Sequence, residues 1–233
     1  TGTASNIQNN TIRNFDWSNS LNGVGAGILV TGGDVNIGTL TGNTIGDITG
    51  TGSITVTNTT TGSSLFGIYI SSTGNTNCRN NNIGSITAAT AAANSSHIYG
   101  IYKNASAGTT NISDNTIGSL VTPNSIYASS GSTGDDQNVY GILNEGTGSV
   151  TISGNTIANL TNGSANTSPT TEGEINGISS SNGTIIISDN IIHDLKNSNT
   201  YTYPNQNASV CGISLTGSLQ KTVTGNKIYN LSN

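Results

Sequence analysis

The chain has 233 residues, of which only 7% are charged and 32% are hydrophobic, and its net charge is −5. An ordinary globular domain is about 25% charged and about half apolar, and six Lys plus Arg cannot supply the basic surface that nucleic-acid binding needs. No apolar run approaches the ~18 residues of a membrane-spanning helix, so we expect neither nucleic-acid binding nor membrane insertion.

The remaining composition favours β structure. Most polar positions are Asn, Thr, Ser and Gly, and single Ile, Val and Leu residues lie between them. Thr, Ile and Val fit a pleated strand, while Asn and Gly form turns. Because no window keeps apolar residues at helical spacing, we expect almost no helix.

One motif recurs along the chain: an apolar residue, Asn three positions later, Ile two after that, and a second apolar residue three further on. In chain order the seven copies are Ile7-Asn10-Ile12-Phe15, Leu40-Asn43-Ile45-Ile48, Cys78-Asn81-Ile83-Ile86, Ile112-Asn115-Ile117-Leu120, Ile152-Asn155-Ile157-Leu160, Ile187-Asn190-Ile192-Leu195 and Val223-Asn226-Ile228-Leu231. A marker Gly, followed by Ile, separates successive copies at Gly27, Gly67, Gly100, Gly141, Gly177 and Gly212. The spacing from marker Gly to the next motif Asn is 13 to 16 residues, and from Asn to the next Gly it is 17 to 26. Each repeat therefore has one side of nearly constant length and one variable loop.

A repeat of 33 to 41 residues that is built from short strands cannot bury its apolar residues alone, whereas stacked copies share one core. The sequence predicts an all-β parallel β-helix of about seven coils, with residues 1–233 as a single segment. We expect the motif Asn residues to form a stacked amide ladder at a bend. We expect a corner at each marker Gly, since strict alternation would put Gly rather than Ile in the core.

These repeats resemble the right-handed parallel β-helix coils of the pectate-lyase-like superfamily, especially the S-x-N-x-I-x-x-L coils of large secreted bacterial surface proteins. The resemblance covers Asn6 to Leu231 and implies an extracellular or cell-surface location, a surface- or carbohydrate-related role, and a chain that is a segment of a longer protein. The family's catalytic motifs are absent, apart from Asp135-Asp136, which looks like one element of them.

Two loops carry acidic residues at equivalent positions. Asp136 and Glu172 each lie five residues before a marker Gly, and Asp135 and Glu174 flank them. Four such carboxylates on adjacent coils could bind Ca²⁺ or act as the acid and nucleophile of a retaining glycosidase. The alternative is two solvated acidic loops.

An aromatic strip is predicted beside these loops. Phe66, Tyr99 and Tyr140 precede marker glycines on consecutive coils, and Tyr69 and Tyr102 lie two residues after them. A kink at the Gly would point all five rings outward, where they could bind a polysaccharide or cell-surface glycan. The alternative is that the strip only packs against the variable loops.

Two Cys and two His residues are the remaining candidates for catalytic or redox roles. Cys78 and Cys211 lie about three coils apart, too far for a disulfide, and we expect both to be free. We expect His97 and His193 to be single surface residues, and a strand would point His193 and Asp194 to opposite faces.

A Thr slot raises the possibility of an ice-binding surface. It contains Thr11, Thr44, Thr116 and Thr156 but is interrupted by Asn82, Ile191 and Lys227. The sequence favours a structural or adhesive module that binds glycans without catalysis and has no cofactor other than calcium. The alternatives are a polysaccharide lyase or glycosidase, and a module that self-associates through the unpaired strand edges of its terminal coils.

Overall fold

The structure is a computed structural model that describes residues 3–20, 23–60, 62–90, 94–168, 173–198 and 209–233. The described residues form strands and turns and contain no helix. They therefore include no helix that could cross a membrane. The prediction of an all-β chain is confirmed.

The strands are short and follow one another at regular intervals. In the described ranges they are β1 (Ser5–Ile7), β2 (Thr11–Ile12), β3 (Phe15–Asn19), β4 (Gly23–Val30), β5 (Val35–Ile37), β6 (Thr44–Gly46), β7 (Ile54–Asn58), β8 (Ser63–Ile70), β9 (Thr76–Arg79), β10 (Asn82–Gly84), β11 (Ile86–Thr90), β12 (Ser96–Lys103), β13 (Thr109–Ser113), β14 (Thr116–Ile117), β15 (Ile126–Ser130), β16 (Asn138–Asn144), β17 (Ser149–Ser153), β18 (Thr156–Ser164), β19 (Glu174–Ser180), β20 (Thr184–Ser188), β21 (Ile191–Asn197), β22 (Val210–Leu215), β23 (Lys221–Thr224) and β24 (Lys227–Ser232).

Three parallel sheets run along the axis. Sheet A contains β1, β5, β9, β13, β17, β20 and β23, sheet C contains β4, β8, β12, β16, β19 and β22, and sheet B contains the other strands. Each turn passes through sheet A, then B, then C, and pairs with equivalent strands of the neighbouring turns. The described residues therefore form a parallel β-solenoid of about six turns, close to the seven coils predicted, because the chain passes seven times through sheets A and B and six times through sheet C.

The predicted Asn ladder runs along the whole solenoid. Each motif Asn donates from Nδ2 to Oδ1 of the next, at 2.8 or 2.9 Å, from Asn10 through Asn43, Asn81, Asn115, Asn155 and Asn190 to Asn226. In six of the seven copies the preceding residue has a left-handed φ of 55° to 68°: Asn9, Asn80, Asp114, Gly154, Asp189 and Gly225. Asn, Asp and Gly tolerate this conformation best. The bend at the ladder is therefore made by the residue before the ladder Asn.

The marker glycines lie inside strands, so the predicted corners are wrong. The alternation does shift there: Gly100 and Ile101 are both buried, with β12 continuing on either side. A Cβ on each marker Gly would lie 2.5 or 2.6 Å from Cγ2 of the Ile in the next motif, as for Gly100 and Ile117. The missing side chain lets sheet C approach that Ile across the core, which accounts for the nearly constant spacing from Gly to Asn.

Three apolar positions of the motif were assigned wrongly. The structure exposes them by more than half: Leu40 by 85%, Ile48 by 53% and Leu120 by 56%. The corresponding core positions are taken by Ile37, Ile54 and Ile126, which lie in register with the apolar residues of neighbouring coils. Extra residues at the corners of the second and fourth copies displace the simple motif spacing there.

Candidate functional site

The aromatic strip lies on the outer face of sheet C. Phe66, Tyr99 and Tyr140 are in register on β8, β12 and β16 and form one column. Tyr69 pairs with Tyr102 in a second column, three residues further along the same strands. The five rings are absent from the solenoid core, which their chain neighbours enter. Residues three positions apart normally face opposite sides of a strand, but the shift at the marker Gly places Tyr99 and Tyr102 on the same side. The five rings therefore lie on the outer side of sheet C, and their role in binding stays a prediction.

The rings of the strip pack on one another. The centroids of Phe66 and Tyr99 are 4.8 Å apart and those of Tyr99 and Tyr140 are 5.4 Å apart, with interplanar angles of 13° and 6°. Tyr69 and Tyr102 form a second, more tilted pair at 5.0 Å. These are offset stacks, so each ring covers part of its neighbour's face. Phe66 and Tyr140 are only 6% and 8% exposed, and a ligand would therefore meet ring edges and hydroxyl groups more than free ring faces.

Carboxylates and an amide hold the tyrosine hydroxyls. Tyr102 donates to a carboxylate oxygen of Glu145, and Tyr140 donates to Glu174. On the neighbouring coil, Asn104 Nδ2 donates to the hydroxyl of Tyr69 at 2.7 Å. The strip is therefore bordered by phenol–carboxylate pairs on consecutive coils.

Burial and these carboxylates keep the phenols protonated. Burial, and after it the charges of Glu145, Asp136 and Glu174, raise the pKa of Tyr99 to about 12. The pKa values of Tyr102 and Tyr140 are also raised, by burial first and by their carboxylate partners second. At neutral pH these groups are hydrogen-bond donors and are poorly suited to act as general bases.

His97 lies at the edge of the strip and is half-buried, with its ring centroid 6.4 Å from that of Tyr99. Its Nδ1 accepts a hydrogen bond from the backbone N–H of Asn138 at 3.2 Å, so the neutral ring carries its proton on Nε2. Burial lowers the pKa of His97, and the charge of Asp136 partly offsets this effect. A polar cleft of about 390 Å³ beside the ring is lined by Ser64, His97 and Asp135 among others.

Three of the four residues of the predicted acidic group lie among the described residues. Asp135 accepts a hydrogen bond from Ser132 Oγ at 3.0 Å, and Glu174 is paired with Tyr140. Asp136 is exposed, and Glu172 lies outside the described residues. Among the residues that are described, no three His, Cys, Asp or Glu side chains group in a way that could hold a metal ion. The calcium site stays a prediction.

Sequence reasoning missed Asn104, Glu145 and Asn176. Asn104 and Glu145 lie two residues beyond Tyr102 and Leu143, which are partners in register, so extending the outward alternation by one step would have found both. Asn176 is in register with Tyr140 and belongs to the same outward column. The aromatic pattern did not indicate Asn176, because this coil has Asn at the position where the preceding coils have an aromatic residue.

The Thr slot and the cysteines are placed as predicted. Thr11, Thr44, Thr116 and Thr156 lie in one column of sheet B, interrupted by Asn82, Ile191 and Lys227. Cys78 and Cys211 are free, and burial raises the pKa of Cys78 to about 12. Ice binding stays a prediction.

The expectation for His193 and Asp194 is wrong. His193 Nδ1 and Asp194 Oδ2 are 2.6 Å apart. Asp194 has a left-handed φ of 53°, which breaks the alternation of β21 and brings both side chains to one side. His193 also stacks on Tyr229, with centroids 4.9 Å apart.

The fold and the strip together define a parallel β-solenoid with a ring-stacked outer face. Comparisons with protein-family models, with curated proteins and with solved structures found no match to this chain. Of the resemblance to pectate-lyase-like proteins, the structure supports the parallel solenoid, and membership of that superfamily stays a prediction.

Proposed function

We propose that this chain is a rigid, non-catalytic module of an extracellular bacterial surface protein, and that it binds glycans on the outer face of sheet C. The observation that supports glycan binding is the strip itself: stacked rings on three consecutive coils, bordered by the hydroxyls and carboxylates of Tyr102–Glu145 and Tyr140–Glu174. Sugars offer both C–H surfaces and hydroxyl groups, and the strip presents an apolar body with a polar edge.

The scaffold is suited to such a role because it fixes the spacing of these groups. Equivalent residues on neighbouring coils are about 4.8 Å apart along the axis, and the ladder and the ring stacks hold them in place. A preordered surface loses less conformational entropy when a ligand binds. An extended polymer lying along the axis would meet the same kind of contact on each coil.

The phenols are hydrogen-bond donors and not general bases. Their raised pKa values keep them as donors, and Glu145 and Glu174 accept their protons in hydrogen bonds. The enzyme alternative needs the Asp135, Asp136, Glu172 and Glu174 group to converge on a substrate or on Ca²⁺. The screen for retention and products distinguishes this enzymatic function from glycan binding without catalysis.

The test is a retention and product screen against neutral, amino and acidic polysaccharides, with and without Ca²⁺. We expect retention without new reducing or unsaturated ends, and a loss of affinity of about tenfold or more in Tyr99→Ala. Tyr127→Ala is the matched control, because Tyr127 lies on sheet B in β15. Products that disappear in Asp136→Ala would make the chain an enzyme, and retention that is equal in both tyrosine variants would remove the strip from the proposal. Antibody labelling of intact source cells tests the surface location, and labelling only after lysis would contradict it.

A further inference from the structure

We infer that the ligand of the aromatic strip is a glycan with free, protonated amino groups, such as a glucosamine polymer, and that acidic polysaccharides are excluded. This inference rests on the proposed glycan binding and specifies its chemistry. It follows from three features of the strip: the absence of cations, the placement of the carboxylates, and the presence of acceptors without partners.

No Lys or Arg side chain reaches the strip, and all six Lys and Arg of the chain are among the described residues. Arg13, Arg79, Lys196, Lys221 and Lys227 lie on or beside strands of sheets A and B. Lys103 is in sheet C but is 1% exposed, and its Nζ donates to the backbone carbonyl of Ala105 at 2.8 Å inside the solenoid. An anionic sugar on the strip would therefore find no counter-charge.

Negative charge surrounds the strip instead. Glu145 and Glu174 accept hydrogen bonds from the hydroxyls of Tyr102 and Tyr140. The charges of both carboxylates and of Asp136 raise the pKa of Tyr99. A carboxylate oxygen has more lone-pair sites than one phenol can fill. Glu145 is exposed and Glu174 is half-buried, so their remaining sites are open to a donor. A protonated amine forms a charge-assisted hydrogen bond with a carboxylate, which is roughly twice as strong as a bond between neutral groups.

A buried acceptor points to the same kind of ligand. Asn176 is 1% exposed, and its Oδ1 has no hydrogen-bond partner. Its register with Tyr140 places it in the outward column of the strip, two residues from Glu174. Asn104 Oδ1, beside the hydroxyl of Tyr69, is likewise without a partner. A buried polar atom without a partner is costly, so a ligand donor that reached either oxygen through a rotation of the Asn side chain would gain a hydrogen bond.

These features together describe a negatively charged surface with open carboxylate acceptors. An amino sugar supplies ammonium and hydroxyl donors and a positive charge. A uronic-acid polymer supplies carboxylates that would face Glu145 and Glu174, and like charges in contact exclude a partner effectively.

The experiment is calorimetric titration with three oligosaccharides of equal length: glucosamine, its fully N-acetylated counterpart, and galacturonic acid. The pH is chosen so that the carboxylates are ionised and the amines protonated. The test variant is Glu145→Gln/Glu174→Gln, in which the amide oxygens still accept from Tyr102 and Tyr140. The matched control is Asp16→Asn, which removes an exposed charge from β3 in sheet B.

We expect glucosamine to bind most tightly and galacturonate most weakly. The double variant should weaken glucosamine binding about tenfold or more, as expected for loss of ammonium–carboxylate ion pairs. It should leave the affinity for the N-acetylated ligand within about twofold, since a neutral ligand forms no ion pair with either carboxylate. Added salt should weaken only the glucosamine complex, and Asp16→Asn should change none of these affinities. Preference for galacturonate, or a double variant that binds glucosamine unchanged, would overturn this inference. The proposed function would still stand in either case if binding depended on Tyr99. Absence of Tyr99-dependent binding for all three ligands would overturn both.

Discussion

Asn81 donates two hydrogen bonds to one atom of Asn115. The backbone N–H of Asn81 and its side-chain Nδ2 each lie 2.9 Å from Asn115 Oδ1, and both residues are 1% exposed. The Nδ2 of Asn115 continues the ladder to Asn155 and also donates to the carbonyl of Cys78 at 3.0 Å. One amide therefore satisfies backbone groups on its own coil and on its neighbours, which is why the same residue type recurs on every coil.

Replacing a ladder residue should destabilise the solenoid strongly. Asn115→Ala removes the side-chain acceptor of the buried backbone N–H of Asn81 and one acceptor of its Nδ2, together with the donor to the carbonyls of Cys78 and Ser113. We expect a loss of about 3 kcal/mol in the free energy of unfolding. The measurement is the shift of the denaturation midpoint in urea. The matched control is Asn77→Ala, which removes an exposed Asn–Asn pair from the outer face of sheet A and should cost less than about 0.5 kcal/mol. Equal losses would show that the buried ladder contributes no more than its exposed counterpart.

The marker glycines should not accept a methyl group. A Cβ on Gly100 would lie 2.5 Å from both Gly141 O and Ile117 Cγ2, so Gly100→Ala should cost about 1 to 3 kcal/mol through overpacking. Gly131→Ala is the control, because no atom lies within 4 Å of its Cβ position. Thermal unfolding of both variants measures the difference. A Gly100→Ala protein as stable as the control would contradict the close approach of sheet C to the core.

The neutral ring of His97 should make stability depend on pH. Because burial lowers its pKa in the folded protein, the unfolded chain takes up the proton first as the pH falls. The stabilisation is therefore complete above the unfolded pKa of about 6.5 and is lost as the pH falls towards and through the folded pKa, by at most about 1.4 kcal/mol per pH unit.

His97→Asn tests this dependence, since Asn has no titration in this range and still offers an acceptor to the N–H of Asn138. Urea unfolding at several values between pH 7 and pH 5 should show a smaller loss of stability in the variant than in the natural chain. Nearby carboxylates such as Asp135 and Asp136 are common to both proteins and cancel in the comparison. Parallel pH profiles would contradict the assignment.

Lys103 should be dispensable for stability. It is almost fully buried, burial lowers its pKa, and its ammonium bonds only to the carbonyls of Ala105 and Ser72. An ammonium buried without a counter-charge is costly, so we expect Lys103→Met to stabilise the protein by about 1 kcal/mol or more at neutral pH. The gain should disappear as the pH rises past the unfolded pKa of about 10.4. Lys196→Met, at an exposed position, is the control, and a destabilised Lys103→Met would show that the two carbonyl contacts outweigh the burial of charge.

The repeat made the ladder and the strip predictable. Once Asn81 and Asn115 occupy the same slot on successive coils, parallel pairing places every equivalent residue about 4.8 Å apart, and the column of Phe66, Tyr99 and Tyr140 follows. The sequence also indicated that the alternation shifts at the marker Gly. It did not distinguish a corner from a shift within a strand, because both put Ile into the core.

The rest could not be read from spacing. The extra residues after Ile37 make Leu40 fit the motif while Ile37 fills the core. The left-handed backbone at Asp194 turns its carboxylate towards His193, and a strict period of two cannot represent that. The outward alternation places Glu145 near Tyr102, but the hydrogen bond between them depends on side-chain directions beyond the end of the strand.

The binding surface is tested most directly by observing the tyrosine rings during a titration with glycans, with ¹³C-labelled tyrosine and NMR spectra. We predict that the ring signals of Tyr69, Tyr99, Tyr102 and Tyr140 shift on adding glucosamine oligosaccharide. Those of Tyr127 and Tyr229, both on sheet B, should stay in place. Shifts confined to Tyr127 and Tyr229, or no shift with any glycan, would contradict the proposal that the outer face of sheet C is the binding surface.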